Sequence, residues 1–254
     1  MHNDLFSIGP VTVHGYGLMI AVGILAAWLT AEYRGKRRGL NTDRIWGLII
    51  CAAVFGILGA KLLYYILEIP KIIRDPSILL DFSNGFVVYG GIIVGLFAGW
   101  VYCRHYQISF AQYIDIVLPS VALGQAFGRI GCFLAGCCYG RQVDCPISIV
   151  FTHSDFAPNG VPLLPSQLIS SALDFLHFLI LVRIAGRPHK DGSITLFYLL
   201  FYSIGRFLVE FVRGDLVRGS IGPLSTSQFI SIWICLAACI GLYLLNKKGQ
   251  AEEA

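Results

Sequence analysis

The sequence holds 254 residues, of which 56% are hydrophobic and 13% charged, with a formal net charge of +4. Soluble domains carry about a quarter charged residues, so this balance excludes an ordinary soluble domain and places the chain among membrane proteins. The small, scattered positive charge offers no basic stripe and excludes a nucleic-acid surface.

Seven apolar stretches are long enough to cross a bilayer, which takes about 20 residues with some latitude. They lie near 15–33, 45–67, 86–102, 112–127, 166–184, 193–212 and 227–245. The fold class expected is therefore all-α, a polytopic membrane protein of seven transmembrane helices, with residues 1–254 forming one membrane domain. Neither an early Lys or Arg nor a small-residue cleavage pattern flanks the first stretch, which reads as a retained span. Loops are short except 129–165, which is long, cysteine-containing and rich in turn formers, as functional loops tend to be. Arg34, Lys36, Arg37, Arg38, Arg44, Arg104, Arg183, Arg187, Lys190, Lys247 and Lys248 fall on one side of the membrane. Lys71, Arg74, Arg129, Arg141, Arg213 and Arg218 fall on the other. Eleven cations against six make the first side cytoplasmic, so the amino terminus and the long loop face outward. Residues 246–254 read as a cytoplasmic tail with a solvated acidic end.

Along the chain, Tyr16 sits in His14-Gly-Tyr16-Gly at the outer end of the first span, and Tyr89 precedes Gly90-Gly91 at the outer end of the third. Either suits an interfacial aromatic. The glycines beside Tyr89 also let a ligand or a helix approach, and His14 reads as a surface histidine. After the apolar run that carries Asp115, residues 124–141 hold glycines at 124, 128, 131, 136 and 140 around Arg129. Each interior glycine costs a helix about 0.5–1 kcal/mol against Ala, so this segment is expected to leave the helix. A guanidinium beside approachable backbone suits a phosphate headgroup, and equally a topology-setting charge next to packing glycines.

Charges inside spans cost at least about 2.5–3.5 kcal/mol at mid-membrane and need partners or a wet cavity. Tyr202, Arg206 and Glu210 are spaced by four and project from one helical face. They form either a self-neutralised pair or a polar stripe in which Arg206 holds phosphate and Glu210 orients it. Asp115 reads as a site group or as a structural partner for Lys61 or a hydroxyl. Cys51, Cys103, Cys235 and Cys239 lie in or beside spans as small apolar residues. Cys132, Cys137, Cys138 and Cys145 cluster in the outer loop, where disulfides, structural thiols, a metal or a lipid-carrying thiol are all open readings. Paired Cys-x2-Cys arms of a zinc ribbon are absent from that spacing.

The ordered motifs Gly124-Gln-Ala-Phe-Gly-Arg129-Ile-Gly, Tyr139-Gly140-Arg141, Pro165-Ser-Gln167-Leu and Gly205-Arg206-Phe-Leu-Val-Glu210 resemble the bacterial prolipoprotein diacylglyceryl transferases. The resemblance implies a plasma-membrane enzyme that moves diacylglycerol from phosphatidylglycerol to the lipobox cysteine of a prolipoprotein, releasing glycerol 1-phosphate without metal or organic cofactor. It implies Arg129 and Arg206 as essential phosphate-handling cations, with Tyr16, Gly90, Gly91, Gly140, Tyr202 and Glu210 around the substrate. Three positions depart from the family pattern, which has His-Gly-Gly at Tyr89-Gly90-Gly91, Gly-Asn at Gly131-Cys132 and Gly-Glu at Gly136-Cys137. Tyr89 then stands in the place of the family's base. A Tyr of pKa about 10 is a poor base near neutrality, so acidification of the substrate thiol by the arginines is the preferred route. A transferase with another acceptor, and a lipid-binding or transport protein, are the competing readings.

Overall fold

The computed structural model describes residues 4–8, 11–80, 85–215 and 219–253. Arg218 of the cation count and Ala254 of the tail lie outside the described residues. Among the described residues, a hairpin, β1 (Asp4–Ile8) and β2 (Val11–His14), leads into eight α-helices. These are α1 (Gly15–Arg37), α2 (Thr42–Leu67), α3 (Ile69–Arg74), α4 (Val88–His105), α5 (Phe110–Ala135), α6 (Ser166–Ala185), α7 (Ser193–Glu210) and α8 (Thr226–Glu253). All but the short α3 overlay the seven predicted spans. Six of them are long and apolar enough to cross a membrane, while α4 carries Arg104 and His105 in its last turn.

Helix limits follow local chemistry. Past the end of α1, Gly39 takes φ +68, where a left-handed residue satisfies the last carbonyls at no steric cost. Asn41 then caps α2, its side chain accepting from the Asp43 and Arg44 amides.

One boundary corrects the sequence reading. The helix α5 runs on to Ala135, so Arg129 is helical and the long loop begins at Gly136 instead of residue 129. Packing overrides the intrinsic cost of the glycines. A Cβ on Gly23 of α1 would sit 3.1 Å from the Gly124 carbonyl, and one on Gly131 would sit 3.2 Å from the Tyr16 carbonyl. Small residues at such a seam let two backbones approach, and that contact offsets what the glycines cost the helix. Beyond residue 246 the chain continues α8 as helix to Glu253.

The chain forms two compact units, Glu32–Tyr113 and the combination of Met1–Ala31 with Ile114–Ala254. In the first, α2 and α4 cross on glycines. A Cβ on Gly91 would lie 2.9 Å from the Gly56 carbonyl, and one on Gly90 would overlap the Gly59 carbonyl. Lys61, the buried cation of α2, lies over the rings of Tyr64, Tyr65 and Phe86.

In the second unit, α5 is the element the others are fastened to. Thr30 of α1 donates to Ser120, Ser171 of α6 donates to the Ala126 carbonyl, and Tyr198 of α7 donates to Gln125. Asp115, 1% exposed, accepts from the Gly192 and Thr195 amides and from the Thr195 hydroxyl. The helix α7 begins after Gly192, which has no side chain to cap it, so Asp115 of α5 supplies the cap from outside. Ala122, Leu181, Ile194 and Tyr198 form the core beneath.

Candidate active site

The helices α5, α6 and α7 bring Arg129, Asp174, His177, Tyr202 and Arg206 to one cavity of about 50 Å³. Spacing explains the set. Tyr202 and Arg206 are one turn apart on α7, Asp174 and His177 one turn apart on α6, and both pairs face inward. The predicted stripe of α7 is present, with Arg206 Nη1 donating to Glu210 Oε2 at 2.6 Å and Nη2 to Ser227 of α8 at 2.7 Å. These two contacts hold the guanidinium plane against rotation.

Arg129 is held differently. Its Nε stands 3.9 Å from Asp174 Oδ2, close enough for ionic attraction but too long for a hydrogen bond. The cavity thus contains one guanidinium clamped by neighbours and one kept near a carboxylate yet able to donate to an incoming anion. The paired carboxylates let both cations reside within the membrane domain.

Asp174 and His177 escaped the sequence reading. The signal was there: an Asp and a His three apart inside an apolar stretch are functional candidates by default. His177 is buried, stacks on Tyr198 at 4.9 Å, and its Nε2 has no hydrogen-bond partner among the described residues. An unsatisfied ring nitrogen is costly in such a place, and a polar ligand in the cavity is the group that would satisfy it.

A second constellation lies where α5 ends. Cys132, Cys137 and Cys138 place their sulfurs within 4.8 Å of one another. Tyr16 packs on Gly131 and lies within electrostatic reach of all three thiols and of Arg129. The turn carrying them is built with care. Gly136 and Cys138 take positive φ of +74 and +56, Ser166 donates to the Cys138 carbonyl at 2.9 Å, and Gln167 donates to the Cys137 carbonyl at 2.8 Å. The thiols of Cys132 and Cys137, then the Arg213 guanidinium, draw Cys138 well below the ordinary thiol range against the opposing effect of burial. The thiols of Cys132 and Cys138, and then burial, hold Cys137 above it.

Gly140 joins this turn to the segment after α7. Its amide donates to the Leu164 carbonyl, the Arg141 amide to the Val212 carbonyl, and the Gly214 amide to the Tyr139 carbonyl. A Cβ on Gly140 would overlap the Leu164 carbonyl and lie 2.9 Å from that of Val212. Only glycine fits where these strands of backbone cross. The crossing sets Arg213 beside Cys138, with Asp215 gripping the guanidinium through two hydrogen bonds of 2.8 and 2.6 Å.

Of the residues singled out from sequence, Arg129, Arg206 and Tyr202 therefore line one cavity, Glu210 braces Arg206, and Tyr16 and Gly140 lie at the thiol turn. Tyr89, Gly90 and Gly91 belong to the unit Glu32–Tyr113, where Tyr89 is exposed and the two glycines face α2.

A family model described as Prolipoprotein diacylglyceryl transferase matches residues 3–244. The chain is 46% identical over 242 residues to the phosphatidylglycerol–prolipoprotein diacylglyceryl transferase of Clostridium tetani, covering 95% of this chain and 96% of that protein. It is 45% identical over 250 residues to phosphatidylglycerol–prolipoprotein diacylglyceryl transferase 2 of Clostridium perfringens, covering 98% and 97%. The Legionella pneumophila (strain Paris) enzyme of the same name is 34% identical over 247 residues, 94% of each chain.

Proposed function

We infer the reaction from one premise: the chain belongs to the prolipoprotein diacylglyceryl transferase family. It is a multi-pass membrane enzyme that transfers the diacylglyceryl group of phosphatidylglycerol to the lipobox cysteine thiol of a prolipoprotein, releasing glycerol 1-phosphate. The observation that carries the site assignment is the single cavity lined by both Arg129 and Arg206.

The chemistry asks for position and charge. A thiolate attacks the glycerol carbon that bears the phosphate, an S–C bond forms, and the C–O bond breaks with its electron pair leaving on the phosphate oxygen. Negative charge therefore grows on the phosphate, between two guanidiniums in a site of low dielectric, where fixed donors are worth most. Arg206, braced by Glu210 and Ser227, is the fixed donor. Arg129 turns from Asp174 to the phosphodiester. Tyr202 walls the cavity, while Tyr16 and Gly140 shape the side from which the acceptor thiol arrives. Tyr89 stands where the family has its base, and Gly90 and Gly91 beside it are the substrate-binding candidates of their own unit.

The eleven-to-six cation bias supports an amino terminus outside and a carboxyl terminus in the cytoplasm of a bacterial plasma membrane. Arg34, Lys36 and Arg37 in the last turn of α1 and Arg183 in that of α6 belong to the larger set of cations, the one read as cytoplasmic. A secreted prolipoprotein then meets the thiol turn from the outer face.

The test is incubation of the purified full-length protein with labelled phosphatidylglycerol and a lipobox peptide. Release of glycerol phosphate that requires the peptide's cysteine is expected. Release indifferent to that thiol would indicate a changed acceptor, and the absence of release would remove the transferase assignment. A Tyr89→Phe variant is expected to keep at least about half of the rate, because a neutral phenol already holds its proton and is a poor general base. Loss of most of the activity would make Tyr89 the base.

A further inference from the structure

The reaction needs a thiolate, and the position where the family carries histidine holds Tyr89. The three cysteines at the end of α5 offer another way to strip a thiol of its proton. Their sulfurs lie within 4.8 Å of one another, with Cys132 on the last turn of the helix and Cys137 and Cys138 folded back beneath it. The Cys137 amide donates to the Cys132 carbonyl, which closes the turn. The edges of a tetrahedron with metal–sulfur bonds of ~2.3 Å are about 3.8 Å, so this trio needs to contract by only about 1 Å to hold an ion.

We propose that Cys132, Cys137 and Cys138 bind one thiophilic divalent ion of the zinc class and leave its fourth position open to the acceptor thiol. The proposal rests on the transferase reading above. The open position follows from the donor set. The loop from Gly136 to Ser166 is described throughout, and no fourth His, Cys, Asp or Glu among the described residues joins the group. Three protein ligands and a vacancy for substrate are the pattern of catalytic zinc, where structural sites close with four.

Three features of the surroundings fit an ion and not a chance meeting of thiols. First, Cys138 holds φ +56, a backbone conformation a non-glycine residue adopts only when its surroundings require it. Second, Ser166 and Gln167, both 1% exposed, pin the carbonyls of Cys138 and Cys137 and so orient the ligand side chains from behind. The Gln167 Oε1 atom, buried at this turn, has no hydrogen-bond partner among the described residues. Third, three thiolates around a divalent ion carry a net charge of −1, and a fourth thiolate makes it −2. Arg213 meets Cys138, and Arg129 lies within electrostatic reach of Cys132, so cations already stand where that charge would reside.

The step balances without a further reagent. The acceptor thiol gives its proton to water on taking the fourth position. The bound sulfur then attacks the glycerol carbon of phosphatidylglycerol, and the C–O bond breaks. Glycerol 1-phosphate leaves with the electron pair between Arg129 and Arg206, and the neutral thioether, a weak ligand, dissociates from the ion. Arg129 serves both halves, because it lines the phosphate cavity and reaches the thiol turn.

The experiment uses full-length protein purified in detergent without chelator. Elemental analysis is expected to find one zinc per chain, lost in Cys132→Ser, Cys137→Ser and Cys138→Ser variants that retain their helical circular dichroism. Co²⁺ exchanged into the site is expected to show sulfur-to-metal charge-transfer bands. Its ligand-field bands shift when a lipobox peptide is added, and stay unchanged with the peptide's cysteine replaced by serine. Removing the ion from the unmodified chain should slow thioether formation by at least about 100-fold, as loss of a proton-handling group does, with recovery on adding Zn²⁺. Full activity in metal-free protein, a disulfide among the three cysteines in the active enzyme, or Co²⁺ bands indifferent to the peptide would each overturn the metal proposal while leaving the transferase assignment intact. One ion per chain, with no glycerol phosphate released under any metal, would instead overturn the transferase assignment, and this proposal with it.

Discussion

Arg206→Ala and Arg129→Ala are each expected to lower kcat/KM by about 100- to 1,000-fold, the effect of removing one preorganised donor from a site of developing negative charge. Arg206 is anchored to Glu210 at 2.6 Å and to Ser227 at 2.7 Å, so its donors are aimed before substrate arrives. A lysine's compact ammonium lacks the planar fork that aims separate N–H groups at the two anchors and the phosphate. Arg206→Lys should therefore recover little, at most about tenfold of the loss by the same reasoning. Arg129, 3.9 Å from Asp174 without a hydrogen bond, is the mobile partner, and Arg129→Lys should recover more. Initial rates of glycerol phosphate release, read beside melting temperatures, check both. If either alanine variant keeps most of its activity while folded, the shared-phosphate model fails.

Asp115→Ala should cost about 3–5 kcal/mol of stability, the toll of leaving buried donors without the carboxylate that bound them. The Gly192 amide, the Thr195 amide and the Thr195 hydroxyl all lose their acceptor, and the start of α7 loses its cap. Because α7 carries Tyr202 and Arg206, activity should fall with the fold. Asp115→Asn keeps one acceptor oxygen and should lie between the two. Unfolding in detergent, with helical circular dichroism as the readout, measures the difference. An Asp115→Ala variant as stable as the unmodified chain would show that α7 is held by other contacts.

The helices were legible because apolar runs bounded by Asn41, Gly39 or charged residues leave few alternatives. The far end of α5 was misread for a reason internal to the sequence: glycine propensity is a local cost, and the packing of Tyr16 and Met19 against Gly131 is not local. Arg206 with Tyr202 and Glu210 was legible because a spacing of four on one helix is a property of the sequence itself. The partnership of Arg129 with Asp174 was not, since 45 residues separate them and only the folding of α6 onto α5 brings them together. The cysteines illustrate the same limit. Spacing alone gave no zinc ribbon, yet the turn at Gly136 gathers three sulfurs that the sequence spreads over seven residues. Gly90 and Gly91 show the converse, for the close approach their lack of a side chain permits is at least in part that of α2.

The most direct test is a structure of the enzyme with phosphatidylglycerol bound. The account predicts the headgroup phosphorus within about 5 Å of both guanidinium carbons, the distance that direct N–H···O contacts of ~2.8 Å imply, with Asp174 displaced from Arg129. A phosphate seated elsewhere, or touching only one of the two arginines, would contradict it.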